Sequence, residues 1–286
     1  MKRILVPIDF SENAFNALNY GIQIANKLDA ELRIVHVRTR KLSQKYLQKN
    51  MGSLITEDLE GWLNEIVAKY KSGYLVPGGS FDYKVREGNV FKEVSNQAKY
   101  DDTTLIVMGT HGASGFEDKY IGSNAYRLVS ASEVPVLAIR PERKWRGINK
   151  IVLPISNRKS SRQKVPAVLG MANLFDAKIY IVGVKEKGYS LANSRVKAFV
   201  KQTLKYIEKN TDLKVESKLI TKGNRAEALL NYANEIDADV LATGIHHSGT
   251  PFENIIKPFV NQLINESDCP VLAVPTKEML SLSSNY

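Results

Sequence analysis

The chain repeats itself once on the scale of a whole domain, and that repeat limits what it can fold into more than any other feature of the sequence. Displacing the 286 residues by 135 brings Gly88-Asn89 onto Gly223-Asn224, Gly109 onto Gly244, and Pro135-Val136-Leu137-Ala138 onto Pro270-Val271-Leu272-Ala273. Nearer the start a displacement of 147 is needed. Ile4-Leu5-Val6-Pro7-Ile8 then falls on Ile151-Val152-Leu153-Pro154-Ile155, and Ile34-Val35-His36-Val37 on Ile181-Val182-Gly183-Val184. The second copy is shorter by the difference, 12 residues, between positions 38 and 84. A period this long is a domain, not a solenoid unit of roughly 20–50 residues. The expected organisation is a domain over 1–140, a linker over 141–147, a second domain over 148–276 and a polar tail over 277–286. The linker segment is charged, lacks periodicity and is bracketed by proline and glycine.

In the first copy the runs 3–8, 32–37, 105–109 and 135–139 are short, rich in valine and isoleucine, and apolar at consecutive positions. That is the pattern of parallel strands covered on both faces. Residues 81–85 read as a fifth, weaker strand. Helical periodicity lies between them. Ser11 is placed as an N-cap before Ala14, Phe15, Leu18, Ile22 and Ala25, and Leu54, Leu59, Leu63, Ile66 and Val67 mark a second helix. Val90, Val94 and Ala98 mark a third, and Ala125, Leu128 and Val129 a fourth. Alternation of strand and helix predicts an α/β fold: two tandem doubly wound domains, each a five-stranded parallel sheet of order 3-2-1-4-5 with helices on both faces.

In such a sheet a ligand sits beyond the carboxyl ends of the strands where their order reverses, here between strands 1 and 4. Pro7-Ile8-Asp9-Phe10-Ser11 leaves strand 1 and Met108-Gly109-Thr110-His111-Gly112 leaves strand 4, so both converge on one crevice. Gly109 and Gly112 lack Cβ atoms where backbone N–H groups would approach an anion, and they permit positive φ. Gly122-Ser123-Asn124 then opens a helix whose free N–H groups and dipole favour a phosphate, with the Ser123 hydroxyl as a further donor. Taken singly, each is an ordinary turn glycine or N-cap serine; together, after a strand and before a helix, they read as a phosphate cradle.

The spacing Gly109-x2-Gly112-x9-Gly122-Ser123 resembles the motif of the ATP-binding universal stress proteins, and Val6-Pro7-Ile8-Asp9, Glu87-Gly88 and Val134-Pro135-Val136-Leu137 also look like that family. The resemblance spans both copies. It implies an ATP site in which Asp9 and the backbone around Val37 hold the adenine and ribose end, with Pro7 a further cofactor-binding residue. Met108, Gly109, His111, Gly112, Gly122, Ser123 and Asn124 would surround the phosphates, although His111 can equally serve only to hydrogen-bond backbone. ATP would carry Mg2+ or Mn2+ held by its own phosphates, since no carboxylate cluster for a protein-built metal site is evident. ADP and AMP are further candidate ligands. The last strands of the two copies, 134–139 and 269–274, would pair within the chain, with edges available for a homodimer.

The second copy departs where it matters. Gly112 becomes His247, Gly122-Ser123-Asn124 becomes Lys257-Pro258-Phe259, and Asp9 becomes Ser156. Proline has no N–H to offer a phosphate, so no ATP is expected there. His246-His247, read as adjacent loop residues without a third ligand, do not make a metal site.

No P-loop, nucleophile elbow, His-Glu-x-x-His helix or Cys-x-x-Cys pair occurs, so catalysis at most amounts to slow ATP hydrolysis. Three classes stay open: a nucleotide-dependent regulatory module, which leads; a weak ATPase or nucleotidyl-transfer enzyme; and a nucleotide-independent interaction module. A net charge of +10 suits an anionic ligand, but basic residues are dispersed and not interleaved with aromatics, so nucleic acid is not expected as a partner. The densest basic stretch, Arg38 to Lys49, reads as a solvated face. No run of about 18 apolar residues occurs and the start is too short in its apolar part for a signal peptide, which points to the cytoplasm and no membrane. The single cysteine, Cys269, lies in an apolar run and is expected to be buried rather than reactive.

Overall fold

The computed structural model describes residues 2–39, 58–112, 121–185, 190–221, 223–247 and 258–277. The chain divides into two compact units, Met1–Trp145 and Arg146–Tyr286.

The first unit runs β1 (Arg3–Pro7), α1 (Glu12–Leu28), β2 (Glu31–Arg38), α2 (Leu59–Lys71), β3 (Phe81–Glu87), α3 (Val90–Tyr100), β4 (Thr103–Gly109), α4 (Ser123–Ala131) and β5 (Val136–Ile139). Its strands are parallel in the order β3-β2-β1-β4-β5. Ile4, Leu5 and Val6 of β1, and Ile106 and Val107 of β4, are wholly buried at consecutive positions. Neighbouring strand residues point to opposite faces, so this pattern requires cover on both sides. Each such side chain contributes about 1.5–3 kcal/mol relative to exposure.

Element ends differ from the sequence reading by one or two residues. β5 starts at Val136 because Pro135 has no N–H for the ladder, though its carbonyl accepts from Ile106 N at 2.9 Å. β3 continues to Glu87, paired opposite Arg38, although its end is polar and only half buried. Ser11 caps α1 as expected, its Oγ accepting from Ala14 N at 3.1 Å. Leu54 and the basic positions 40–49 lie outside the described residues.

The amino end of this sheet, opposite the expected site, is fastened by ion pairs. The Arg33 guanidinium grips Asp82 through Nε and Nη2 at 2.6 Å each and Asp101 through Nη1 at 2.6 Å, while Arg3 pairs with Glu31 and reaches Asp101 at 2.9 Å.

The second unit runs β6 (Lys150–Ile155), a 3-10 turn (Lys159–Arg162), α5 (Val165–Phe175), β7 (Lys178–Lys185), α6 (Ser190–Asn210), β8 (Val215–Thr221), α7 (Arg225–Glu235), β9 (Val240–His247), α8 (Pro258–Glu266) and β10 (Val271–Lys277). Its parallel order, β8-β7-β6-β9-β10, repeats that of the first unit. The segment between the copies is held to its neighbours. The Arg143 and Lys144 carbonyls accept from Asn16 and Tyr20 of α1, and Trp145 meets the Tyr20 ring edge-on at 4.9 Å. Arg146 forks onto Asp237 and reaches Asp239 at 2.9 Å in the second unit. Cys269 is buried, with Ser267 Oγ donating to its carbonyl at 2.8 Å. Residues 278–286 lie outside the described residues.

Candidate functional site

The crevice is built where β1 and β4 end side by side. After β1 the chain turns at Phe10, which takes the left-handed conformation with φ 63°. That costs a bulky L-residue roughly 1–2 kcal/mol, and such strain concentrates at functional sites. The turn sets Asp9 so that Oδ1 accepts from Ser11 N at 3.1 Å and Ser11 Oγ at 2.6 Å, directly ahead of the α1 N-cap. After β4, Thr110 is buried and donates to the Ile139 carbonyl at 3.3 Å, and its Oγ1 lies 2.7 Å from His111 Nδ1.

Three of the expected glycines then fall into two physical kinds. A Cβ at Gly109 would lie 2.6 Å from Asn13 Nδ2 and 3.2 Å from the Asn13 backbone carbon, and one at Gly112 would lie 2.6 Å from Asp9 Oδ2. Both glycines therefore let the two strand ends and α1 close on one another. A Cβ at Gly122 would meet only Thr110 O at 3.4 Å and Gly112 N at 3.9 Å, which is ordinary contact. None of the three has positive φ, so the expectation that Gly109 and Gly112 use left-handed backbone is corrected: these two are needed for close approach, and Gly122 is not.

Gly122 N donates to Thr110 O at 2.8 Å, which pins the start of α4 to the loop after β4. Gly122 is itself the N-cap and offers no side-chain acceptor, so the first turn of α4 has no side-chain cap. By contrast Ser11, Asp58, Asn89 and Asn224 cap α1, α2, α3 and α7. Ser123 and Asn124 are exposed at that uncapped end, beside exposed Gly112 and half-buried Asp9. Asp9, Gly109, His111, Gly112, Gly122, Ser123 and Asn124 thus share one crevice. Pro7 ends β1, paired with Val35. Val37 and Met108 are buried in their strands. Residues 113–120 of the spacer lie outside the described residues.

Several crevice residues carry little sequence signal of that role. Asn13 is buried on the inner face of α1, donates to the His111 and Ile139 carbonyls at 3.2 and 3.3 Å, and keeps Oδ1 buried without a partner among the described residues. An asparagine at an apolar helix position was the available hint. Phe10 packs on His36 at 4.8 Å and on Trp62 at 5.5 Å, forming an aromatic wall from three elements distant in sequence. Burial holds the His36 imidazolium below its ordinary value, opposed by its bond to the Ile8 carbonyl and by Asp9. Neutral His36 therefore donates through Nδ1 to Ile8 O at 2.9 Å.

The second unit keeps the scaffold and changes these contacts. Ser156, at the position of Asp9, accepts from Arg158 N at 3.3 Å, a neutral version of the Asp9–Ser11 turn. α8 begins at Pro258, whose nitrogen carries no proton. Lys257 lies outside the described residues. His246 and His247 belong to β9, opposite Thr276 and Lys277 of β10, and not to a loop; ladder pairing extends further here than the polar sequence suggests. Among the described residues no group of three or more His, Cys, Asp or Glu could hold a metal ion, and no helix is long and apolar enough to cross a membrane.

A model of the universal stress protein family matches residues 1–140 and again 147–275. A universal stress protein of Methanocaldococcus jannaschii is 29% identical over 143 residues, covering 50% of this chain and 84% of that protein. One from Synechocystis is 22% identical over 291 residues, covering 95% of this chain and 99% of its own length. Among solved structures, a universal stress protein from Archaeoglobus fulgidus superposes with a TM-score of 0.73 at 21% identity, covering 96% of this chain and 98% of that one, a likeness of fold.

Proposed function

Because the chain belongs to the universal stress protein family, we propose that it is a nucleotide-dependent regulatory protein that binds one ATP, in the crevice of its first unit. The observation that carries this reading is Gly122. The fold has room for a side chain there, yet glycine leaves open the space between Thr110 O, Gly112 N and the uncapped start of α4. A phosphate in that space meets unpaired N–H groups and the positive end of the helix dipole, and charge-assisted bonds of this kind contribute roughly 1.5–3 kcal/mol each. Ser123 adds a hydroxyl, and the Asp9 carboxylate accepts from ribose hydroxyls. The Phe10–His36–Trp62 wall offers an apolar surface toward the base. Mg2+ or Mn2+ would be held by phosphate oxygens, supplying charge neutralisation. The second unit, with Ser156 and Pro258, supplies a partner surface without nucleotide.

The function is binding and switching rather than turnover. Calorimetry of MgATP with the full chain, with Gly122→Val and with Ser156→Ala tests it. One nucleotide per chain is expected, lost in Gly122→Val and kept in Ser156→Ala. Two nucleotides per chain, or undiminished binding by Gly122→Val, would contradict it. ADP release slower than about one turnover per minute separates this reading from an ATPase, whose kinetics run at roughly 1 s⁻¹ or faster.

A further inference from the structure

The second unit contains a cavity of about 440 Å3 that the nucleotide crevice does not account for. Its walls come from the 3-10 turn after β6 (Lys159, Arg162), the first turn of α5 (Val165) and α6 (Gln202, Thr203, Tyr206). No carboxylate is among the described residues that line it. The volume lies within the range of small-molecule pockets, roughly 300–1,000 Å3.

Two buried polar groups in this wall lack partners among the described residues. Thr203 is 3% exposed, and its Oγ1 has no hydrogen-bond partner among the described residues. Arg162 Nε is likewise buried and unpartnered. Such groups cost free energy in a folded chain, and each calls for a cause. Arg162 is otherwise held in place: Nη1 donates to Gln202 Oε1 at 2.7 Å, and the guanidinium lies over the Phe199 ring at 4.3 Å. With Nη1 engaged, the edge carrying Nε remains. That edge is the one Arg33 presents to Asp82, through Nε and Nη2. It takes carboxylates and phosphates side-on with two parallel bonds.

We propose that this cavity binds a small organic oxyanion, a carboxylate or phosphate monoester with an apolar body, through Arg162, Thr203 and Lys159. Arg162 provides the fork, Thr203 a buried hydroxyl donor and Lys159 a second positive charge at the exposed mouth. Val165 and the Tyr206 ring contact the apolar body. Lys164, adjacent in sequence and fully buried, spends its ammonium on the Ser161 carbonyl at 2.6 Å and takes no part.

The test uses phenyl phosphate and benzoate as separate probes, and neutral benzamide as the shape control, titrated into the full chain. Calorimetry gives stoichiometry, and amide NMR shifts give location. At least one anion is expected to saturate a single site per chain, with shifts centred on 159–166 and 199–206 and none from benzamide; which anion binds tells carboxylate from phosphate. Arg162→Gln should weaken binding about tenfold or more, and Thr203→Val about three- to tenfold. Thr203→Val should leave the Tm without anion unchanged or higher, because valine keeps the shape and removes an unpaired hydroxyl. Gly122→Val should bind the anion normally, so failure of the ATP site and failure of this site are separable. Absence of saturable binding by both anions, equal binding of benzamide, or undiminished binding by Arg162→Gln would overturn the proposal. So would a Thr203→Val protein that melts several degrees lower and still binds as before.

Discussion

Replacing Gly112 by alanine places a methyl carbon 2.6 Å from Asp9 Oδ2 and 3.8 Å from its Cγ. Relief requires the carboxylate to move by roughly 0.5–1 Å, against a contact distance of about 3.5 Å. Asp9 is not free to swing, because Oδ1 holds both Ser11 N and Ser11 Oγ, and Ser11 in turn caps α1. Giving up one hydrogen bond to the charged group costs about 1.5–3 kcal/mol, and a loosened cap up to about 1 kcal/mol. If the carboxylate is also the ribose contact, its displacement raises the ATP Kd about 10- to 100-fold. Calorimetry reads the affinity, and urea unfolding reads stability, expected to fall by about 1–3 kcal/mol. A double-mutant cycle isolates the cause: in an Asp9→Ala background the added methyl has no carboxylate to meet, so Gly112→Ala should then change the Kd less than threefold or so. Wild-type affinity and stability in Gly112→Ala, or full additivity with Asp9→Ala, would refute the reasoning.

Gly122→Ala, with no contact closer than 3.4 Å, should cost less than about 1 kcal/mol of stability while weakening ATP binding, as parallel melts and titrations will read. Burial lowers the His36 pKa, so its stabilising neutral form is fully present above about pH 6.5 and is lost as pH falls through the folded value. Urea midpoints at pH 7.5 and 5.5 should therefore differ more in the wild type than in His36→Gln. Lys164 is pushed down by desolvation to about 7, a lowered pKa that favours the fold above pH 10.5 and penalises it as pH falls toward 7. Lys164→Met should raise stability at pH 7 by up to about 4 kcal/mol and remove the rise in stability between pH 7 and 10. Arg146→Ala removes the guanidinium that pairs with buried Asp239, and should lower the second unit's melting stability by about 1–2 kcal/mol, the pair being partly exposed.

That the sheet is covered on both faces was readable from consecutive apolar positions such as Ile4-Leu5-Val6, its order followed from the alternation of strand and helix, and the repeat supplied the same pattern twice. The convergence of Asp9 with Gly112 was readable too, since strand order alone brings the ends of β1 and β4 together. What the glycines do was not. They were expected to leave room for an anion and to permit positive φ, whereas Gly109 and Gly112 accommodate Asn13 and Asp9, contacts between residues about a hundred positions apart that no local pattern encodes. Phe10, with its left-handed backbone, and the wall it forms with His36 and Trp62 were hidden for the same reason: a strained turn depends on its surroundings. β9 continues through His246 and His247 because β10 pairs with it there, where polar side chains mimic a loop.

The most direct measurement of a single ATP site in the first unit is an amide NMR titration of the full chain with MgATP. The expected result is saturation at one equivalent, with shifts at 9–13, 109–112 and 122–125 and unchanged signals at 155–162 and 258–262. Saturation at two equivalents, or shifts of comparable size around Ser156 and Pro258, would contradict it.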